Sequence, residues 1–370
     1  MTTTTDKQFM IRALSLAKQG RFTTSPNPNV GCVIVYNNKI IGEGFHYKAG
    51  HTHAEIYAIQ MAGKKTNGAI AYITLEPCSH YGKTPPCVDA LINAGIRRVF
   101  IAMQDPNPKV SGRSLLKLQQ AGIEVIYGLL TNEAEQLNLG FIKKMRTGFP
   151  YVQLKLAASL DGRIALASGE SKWITTSIAR KDVQSFRAEA SAILTTDKTI
   201  LNDNPSLNVR WKDLLPEIQN IYPKDHIRQP IRIVLDRLNK IKPEHIVTKL
   251  DGECWLIRSN PISQNWLGNV KQIKISTSEM GIDLSLLMMK LAKYNINSIL
   301  VESGATLAGS LLTSKLVDEL IIYVAPKILG ITARGLIYIP ELQKLKDAPK
   351  FEFIDIKLIS NNLRLRLRPL

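Results

Sequence analysis

His53-Ala54-Glu55, followed after an apolar run by Pro77-Cys78 and Pro86-Cys87, is the stretch from which the first part of the chain can be read. One imidazole and two thiolates can hold a zinc ion and leave its fourth position open; structural zinc sites use four protein ligands, catalytic ones three. His53, Cys78 and Cys87 are the candidate ligands, and Glu55 is the candidate proton carrier. Around this stretch helical and strand patterns alternate. Gln8 to Ala17 has helical periodicity, Val30 to Tyr36 reads as a buried strand, and Asn37-Asn38 turns into a second strand from Lys39 to Phe45. A helix is expected from near His53 to near Gly63, a strand from Ala69 to Leu75, and a helix from Cys87 to Asn93, opened by Pro86 and closed by Gly95. Strands follow at Arg98 to Met103 and Glu124 to Tyr127. This alternation predicts a layered α/β fold with a mixed sheet. It places His53 and Cys87 at helix N-termini, where the helix dipole stabilises a thiolate.

A histidine and two cysteines with a non-ligand glutamate are the residue logic of zinc-dependent deamination of a heterocycle. The competing reading is a zinc knot that braces loops. It needs a fourth ligand, and His51 and His80, each crowded against an assigned ligand, are the candidates at hand. Deaminases of nucleosides and nucleic acids commonly read Pro-Cys-x-x-Cys, whereas here eight residues, Ser79 to Pro86, separate the cysteines. That insert must loop out beside the metal. It carries Lys83, which is either a solvated loop lysine or a point charge for a substrate phosphate.

The chain has 370 residues, 45% of them hydrophobic, which predicts two domains with buried cores. No apolar run approaches the ~20 residues of a membrane span, and the first residues lack the basic start and apolar stretch of a secretory signal, so a cytoplasmic protein is expected. Of the four cysteines, two belong to the zinc motif, and Cys32 and Cys254 lie far apart, a usage that favours metal binding over disulfides. The net charge of +17 attracts anions without naming them. Phosphorylated metabolites and a dinucleotide phosphate fit it; nucleic acid is not expected, because the charge is spread and no basic stretch is interleaved with aromatics.

The second half opens at Gly148-Phe149-Pro150. Strands are expected at Tyr151 to Ala157, Ala192 to Thr196, Ile231 to Leu235, Ser298 to Val301 and Val317 to Ala325, with a turn at Ser159-Leu160-Asp161-Gly162 and a helix from Arg180 to Ala190. The polar, proline-containing region from Trp211 to Gln229 reads as a long surface loop. The tail from Leu363 to Arg368 alternates leucine and arginine, which favours an edge strand over a nucleic-acid patch. Apolar strand and helix faces in this half make a homo-oligomer, dimer or higher, the expectation.

Taken in order, His53-Ala54-Glu55, Leu75-Glu76-Pro77-Cys78-Ser79-His80, Thr84-Pro85-Pro86-Cys87 and Gln104-Asp105-Pro106-Asn107-Pro108 resemble the bifunctional deaminase/reductase family of riboflavin biosynthesis. So do Ser25 to Gly31, Lys155 to Gly162, Ser168 to Thr175, Asp203 to Arg210, Val301 to Gly304 and Ala325-Pro326-Lys327, and the resemblance covers nearly the whole chain. It implies a cytidine-deaminase-like α/β/α domain over residues 1–147 and a dihydrofolate-reductase-like α/β domain over residues 148–370. The first would remove the 2-amino group of a diaminopyrimidinone ribosylamino 5′-phosphate with zinc. The second would reduce the ribosyl group to ribityl with NADPH. By the same carry-over His53, Cys78 and Cys87 bind zinc, Glu55 moves the proton, and Asn27 and Lys83 touch the deamination substrate.

In the second half, the resemblance assigns NADPH to Ala157, Trp173, Thr199, Asp203 and the run Gly304, Ala305, Thr306, Leu307, Ala308, Gly309 and Ser310. It assigns the substrate to Ser171, Arg187, Leu207, Arg210 and Glu302. Gly304 and Gly309 would allow close backbone approach at a helix start suited to phosphate; Arg187 and Arg210 would grip the sugar phosphate. Trp173 is either a flat surface for the nicotinamide or a core aromatic. Family members often carry Gly-Gly or Ala-Gly after the strand glutamate; Ser303 stands there instead, small enough for NADPH binding to survive. Two further readings stay open: a deaminase of RNA or a free base with a non-catalytic second half, and a zinc-stabilised interaction protein.

Overall fold

The computed structural model describes residues 2–79, 85–107, 111–278, 281–340 and 342–370. The chain divides into two compact units, Met1–Gly148 and Phe149–Leu370. Gly148, in the left-handed conformation at φ 74°, closes the last helix of the first unit, an ending that glycine accepts without strain.

In the first unit, α1 (Thr4–Ala17) begins ahead of its apolar pattern because Thr3 and Asp6 form a reciprocal capping box. Strands β1 (Gly31–Tyr36) and β2 (Lys39–Phe45) form a hairpin through Asn37 and Asn38, both at positive φ, as a tight two-residue turn requires. Then come α2 (Ala54–Ala62), β3 (Ile70–Ile73), α3 (Cys87–Asn93), β4 (Arg98–Ile101), α4 (Arg113–Gln120), β5 (Glu124–Tyr127), α5 (Thr131–Gln136) and α6 (Leu139–Thr147). The sheet order is β2-β1-β3-β4-β5; β1 is antiparallel to both neighbours, and β3, β4 and β5 are parallel. Alternate residues feed two cores. Val33, Tyr72 and Phe100 face α1, α5 and α6, while Ile34, Ile73 and Ile101 face α2, α3 and α4. Helices thus cover both faces of the sheet, as parallel strands demand.

The second unit contains β6 (Tyr151–Ser159), β7 (Arg163–Ala165), α7 (Ser177–Glu189), β8 (Ala192–Thr196), α8 (Asp197–Asp203), α9 (Pro216–Ile221), β9 (Ile231–Leu235), α10 (Ile246–Lys249), β10 (Cys254–Arg258), β11 (Val270–Lys274), β12 (Thr277–Ser278) and β13 (Gly281–Ile282). It continues with α11 (Leu284–Lys293), β14 (Ser298–Glu302), α12 (Ala305–Thr313), β15 (Glu319–Ala325), β16 (Arg334–Gly335), β17 (Phe351–Ile359) and β18 (Asn362–Pro369). Nine strands form one sheet in the order β11-β10-β9-β8-β14-β6-β15-β18-β17. It is parallel from β11 to β15 and antiparallel over β15, β18 and β17. α11 and α12 pack on one face and α7, α8 and α10 on the other. Because β14 inserts between β8 and β6, chain direction along the sheet reverses there, and a crevice opens beyond the carboxyl ends of these strands.

Two expectations are corrected. The region Trp211 to Gln229 is folded: it holds α9, Tyr222 is fully buried, and the Tyr222 hydroxyl accepts the Arg228 N–H at 2.6 Å. Trp211, Leu214, Leu215, Ile218 and Tyr222 recur at the three- and four-residue spacing of a helix, which the region's polar and proline content obscured, and Leu214, Ile218 and Tyr222 plug into the unit. The alternating tail is not an edge. β18 is paired on both sides, its arginines held by Asp182, Glu319, Asp355 and Glu352, and β17 is the edge. Arginine suits an edge and a carboxylate-lined inner strand equally, so the alternation did not discriminate.

Candidate active sites

The two helices of the zinc motif begin at its ligands: His53 is the N-cap of α2, and Cys87 is the first residue of α3. α2 lies directly on β2. A Cβ on Gly44 would stand 2.3 Å from the Ala54 carbonyl oxygen, so glycine is required for this approach. Cys78 follows β3; its Sγ accepts the Cys87 backbone N–H at 3.2 Å, and its carbonyl accepts the Val88 N–H at 3.2 Å. His53 Nδ1 lies 3.2 Å from Cys87 Sγ and 3.6 Å from Cys78 Sγ, and the three ligand atoms fall within 4.8 Å of one another. Two sulfurs and one imidazole nitrogen at this spacing fit zinc. Among the described residues no other His, Cys, Asp or Glu joins the group. His80 and Lys83 lie outside the described residues.

Charge is divided unevenly across the group. The Cys87 contact, and then His53, hold the Cys78 thiol well below the ordinary range, against the opposing effect of burial. Cys87 is pushed up, first by Cys78 and then by its own burial, so both thiols bind a cation only as their protons leave. Glu55, on the first turn of α2, is 3% exposed, and burial followed by the nearby Cys78 raises its carboxyl. A carboxyl so raised exchanges protons closer to neutrality.

Asn27 stands beside this group through His46. Asn27 Nδ2 lies 3.1 Å from His46 Nε2, and the His46 ring packs edge-on against His53 with centroids 5.3 Å apart. Burial pushes the His46 imidazole down to about 4, which leaves it neutral. His46 carried no motif spacing and was not singled out from the sequence. Nor was Glu76, which is buried and accepts the backbone N–H groups of Asp105 at 3.2 Å, Gly112 at 3.0 Å and Ser114 at 3.2 Å. It ties the Gln104-to-Asn107 loop to the Pro77-Cys78 segment, a role that becomes visible once β3 and β4 are side by side.

The second unit has a cleft of about 1490 Å³ at the carboxyl ends of β6, β8, β9 and β14. Of the reductase residues named above, Ala157, Ser171, Trp173, Arg187, Thr199, Asp203, Leu207, Arg210, Glu302, Gly304, Ala305, Thr306, Leu307, Gly309 and Ser310 line it. Ala308 does not; it is fully buried in the core under α12. Gly309 has a structural cause as well, since a Cβ there would stand 1.7 Å from the Tyr338 carbonyl oxygen, whereas nothing lies within 4 Å of one on Gly304. Gly304, the N-cap of α12, is thus the glycine that leaves the backbone open to a ligand, and the half-buried Ser303 beside it also faces the cleft. Cleft size and open helix start fit a dinucleotide.

The arginines differ in their commitments. Arg187 donates from Nε and Nη2 to the two Glu302 oxygens at 2.6 and 2.9 Å, and from Nη1 to the Asn208 carbonyl at 3.1 Å. Its fork is therefore taken by Glu302, contrary to a free grip on phosphate. Arg210 is exposed at the rim, paired with Asp213. Burial alone would raise Glu302, but Arg187, with Lys155 and Arg210, holds its carboxyl at about 2. Lys155, the strand neighbour of Glu302, lines the same wall and is shifted down by burial. Trp173 is 63% exposed, so it is not a core aromatic; one face is covered by the Arg180 guanidinium at 4.1 Å. Leu207 sits at φ 47°, an uncommon conformation for a leucine.

Residues 3–103 match the cytidine and deoxycytidylate deaminase zinc-binding region, and residues 150–365 match the RibD C-terminal domain. The chain is 57% identical over 362 residues to the riboflavin biosynthesis protein RibD of Escherichia coli, covering 98% of this chain and 99% of that one. It is 50% identical to RibD of Haemophilus influenzae, covering 98% and 97%. Among solved structures it resembles Acinetobacter baumannii RibD (TM-score 0.92, 42% identity, 99% of each chain). It also resembles a diaminohydroxyphosphoribosylaminopyrimidine deaminase/5-amino-6-(5-phosphoribosylamino)uracil reductase from Thermotoga maritima (TM-score 0.86, 34% identity, 99% of each chain). A three-ligand metal group in one unit, a dinucleotide-sized cleft in the other and relatives matched over their full length lead to one conclusion: the chain belongs to the RibD family of riboflavin biosynthesis proteins.

Proposed function

We propose that the first unit deaminates a 2,5-diamino-6-(ribosylamino)-4(3H)-pyrimidinone 5′-phosphate and that the second reduces the ribosyl group of the product to ribityl. The end product is 5-amino-6-(5-phosphoribitylamino)uracil. The observation that carries the first step is the buried Glu55 beside the His53, Cys78 and Cys87 group. His53, Cys78 and Cys87 would hold the zinc, which when bound supplies a Lewis acid that makes a water nucleophilic near neutral pH. Glu55 takes the proton of the attacking water and passes it to the departing amine. Asn27 orients the ring, and Lys83 meets the phosphate.

NADPH supplies the reducing equivalent in the second unit. Ala157, Trp173, Thr199, Asp203, Gly304 to Leu307, Gly309 and Ser310 surround it, while Ala308 packs the core beneath them. Ser171, Arg187, Leu207, Arg210 and Glu302 form the substrate wall. Arg187 keeps Glu302 ionised and oriented, and we assign the 5′-phosphate to Arg210, exposed at the rim beside Asp213. A staged assay tests the whole. Ammonia release without NADPH, followed by NADPH oxidation after its addition, is the expected result, and stripping zinc stops the first stage while leaving the second intact with deaminated intermediate. Zinc-replete protein that releases no ammonia sinks the substrate assignment.

No helix among the described residues is long and apolar enough to cross a membrane, and the four cysteines are free. We place the protein in the cytoplasm. We also infer that it pairs through β17, an unpaired edge that exposes Phe353, Ile354, Ile356 and Leu358. A second copy would cover these side chains. A dimeric or larger mass by light scattering that falls to a monomer in Ile356→Lys, a charge suited to blunting an edge, is the expected outcome.

A further inference from the structure

We propose that His46 is a positioning residue of the deamination site: it fixes which way round the Asn27 amide stands, so that Asn27 offers Oδ1 as a hydrogen-bond acceptor to the pyrimidine. This rests on the deaminase reading of the first unit.

The argument is one of donors and acceptors. His46 follows β2, and its backbone N–H donates to the Val30 carbonyl at 2.9 Å. Its Nδ1 lies 3.1 Å from the carbonyl oxygen of Thr52, the residue before the ligand His53. A carbonyl oxygen can only accept, so Nδ1 carries the proton. Nε2 faces Asn27 Nδ2 at 3.1 Å, and an amide nitrogen can only donate, so Nε2 is the acceptor and the ring carries its one proton on Nδ1. The two hydrogen bonds require one another: the Thr52 carbonyl sets the tautomer, and the tautomer sets the amide.

Asn27 does not depend on His46 for its backbone. Its N–H donates to the Thr24 carbonyl at 2.8 Å, and Thr24 Oγ1 donates to Asn29 Oδ1 at 2.6 Å. What His46 decides is the rotation of the amide. With Nδ2 turned to His46, Oδ1 is the atom left for a ligand, and an acceptor there favours a pyrimidine presenting a ring N–H or an exocyclic amine over one presenting a carbonyl at the same place. The edge-on packing of His46 against His53 puts this reading group next to the metal ligands.

The first test is made on the zinc-loaded, full-length protein with 15N-labelled histidine. Long-range 1H–15N spectra are expected to show His46, assigned by its loss in His46→Leu, as the neutral Nδ1–H tautomer near neutral pH. An Nε2–H tautomer or an imidazolium would require the Asn27 amide to face the other way and would overturn the proposal. The second test is kinetic. His46→Leu is expected to raise the deamination KM about tenfold, the size of one hydrogen bond, with a smaller change in kcat. His46→Gln, whose oxygen can still accept from Asn27, recovers most of the loss. Both variants keep zinc and reduce the deaminated intermediate at the unaltered rate. Unchanged KM in His46→Leu, or loss of zinc in both variants, would overturn it. Wild-type protein that releases no ammonia would instead refute the deaminase reading, and the spectra would report the tautomer regardless.

Discussion

Glu55→Gln releases ammonia from the diaminopyrimidine substrate far more slowly than the wild type, yet oxidises NADPH at the wild-type rate when given the deaminated intermediate. Glutamine keeps the volume of the side chain in a site that is 3% exposed, so packing under α2 is preserved. What is lost is the exchangeable proton. A positioned acid/base group contributes about 10²- to 10⁴-fold to a rate, and the deamination kcat should fall by that factor. Zinc content, measured on the purified variant, stays as in the wild type, because Glu55 lies outside the His53, Cys78 and Cys87 group. Parallel loss of reduction would contradict two separate sites. Retention of deamination would remove Glu55 from the proton path.

Glu302→Gln is expected to have the mirror-image effect, and a larger cost in stability. The Arg187 side chain is 12% exposed and its guanidinium rests on both Glu302 oxygens. Neutralising Glu302 leaves that cation nearly buried with a weaker partner, and breaking such a pair costs about 3 kcal/mol or more. Reduction should fall at least 100-fold while ammonia release persists.

The acid response distinguishes this account from a simple packing defect. Glu302 is held at about 2 in the folded protein, below its ordinary 4.5. A depressed carboxyl contributes stability that is fully present above the unfolded value and is lost as pH falls from near 4.5 toward 2. The wild-type second unit should therefore lose stability across that window, and Glu302→Gln should show a shallower loss there, read by denaturant midpoints at several pH values. Equal slopes for the two proteins would mean that the Arg187 pair does not hold the Glu302 proton off.

The elements legible in the sequence are those set by local chemistry. The Asn37-Asn38 hairpin, the helix opened by Pro86 and ended by Gly95, and the apolar strands Ala192 to Thr196 and Ile231 to Leu235 each depend on residues adjacent in the chain. The same holds for the chemistry of His53, Glu55, Cys78 and Cys87, whose types and spacing already ask for one three-ligand metal. Strand ends were less legible: the apolar runs at 69–75 and 98–103 outlast the ladders, which stop at Ile73 and Ile101 where the chain turns to build the site.

Tertiary structure decided everything that depends on a partner distant in sequence. Arg187 looked like a phosphate grip until Glu302, 115 residues away, took its fork. Gly309 has a second cause that its sequence position does not show, the Tyr338 backbone packed against it. The leucine-arginine tail could not reveal that β17 would cover it, nor the Trp211-to-Gln229 region that Tyr222 would bury. His46 and Glu76 belong to the same class. The sequence by itself determined which reactive groups the chain carries and which short segments become helix or strand, because rotamer, turn and capping preferences act over a few residues. Which carboxylate each arginine meets and which edge stays open are set by packing, because those choices are made by atoms brought together only when the sheets form.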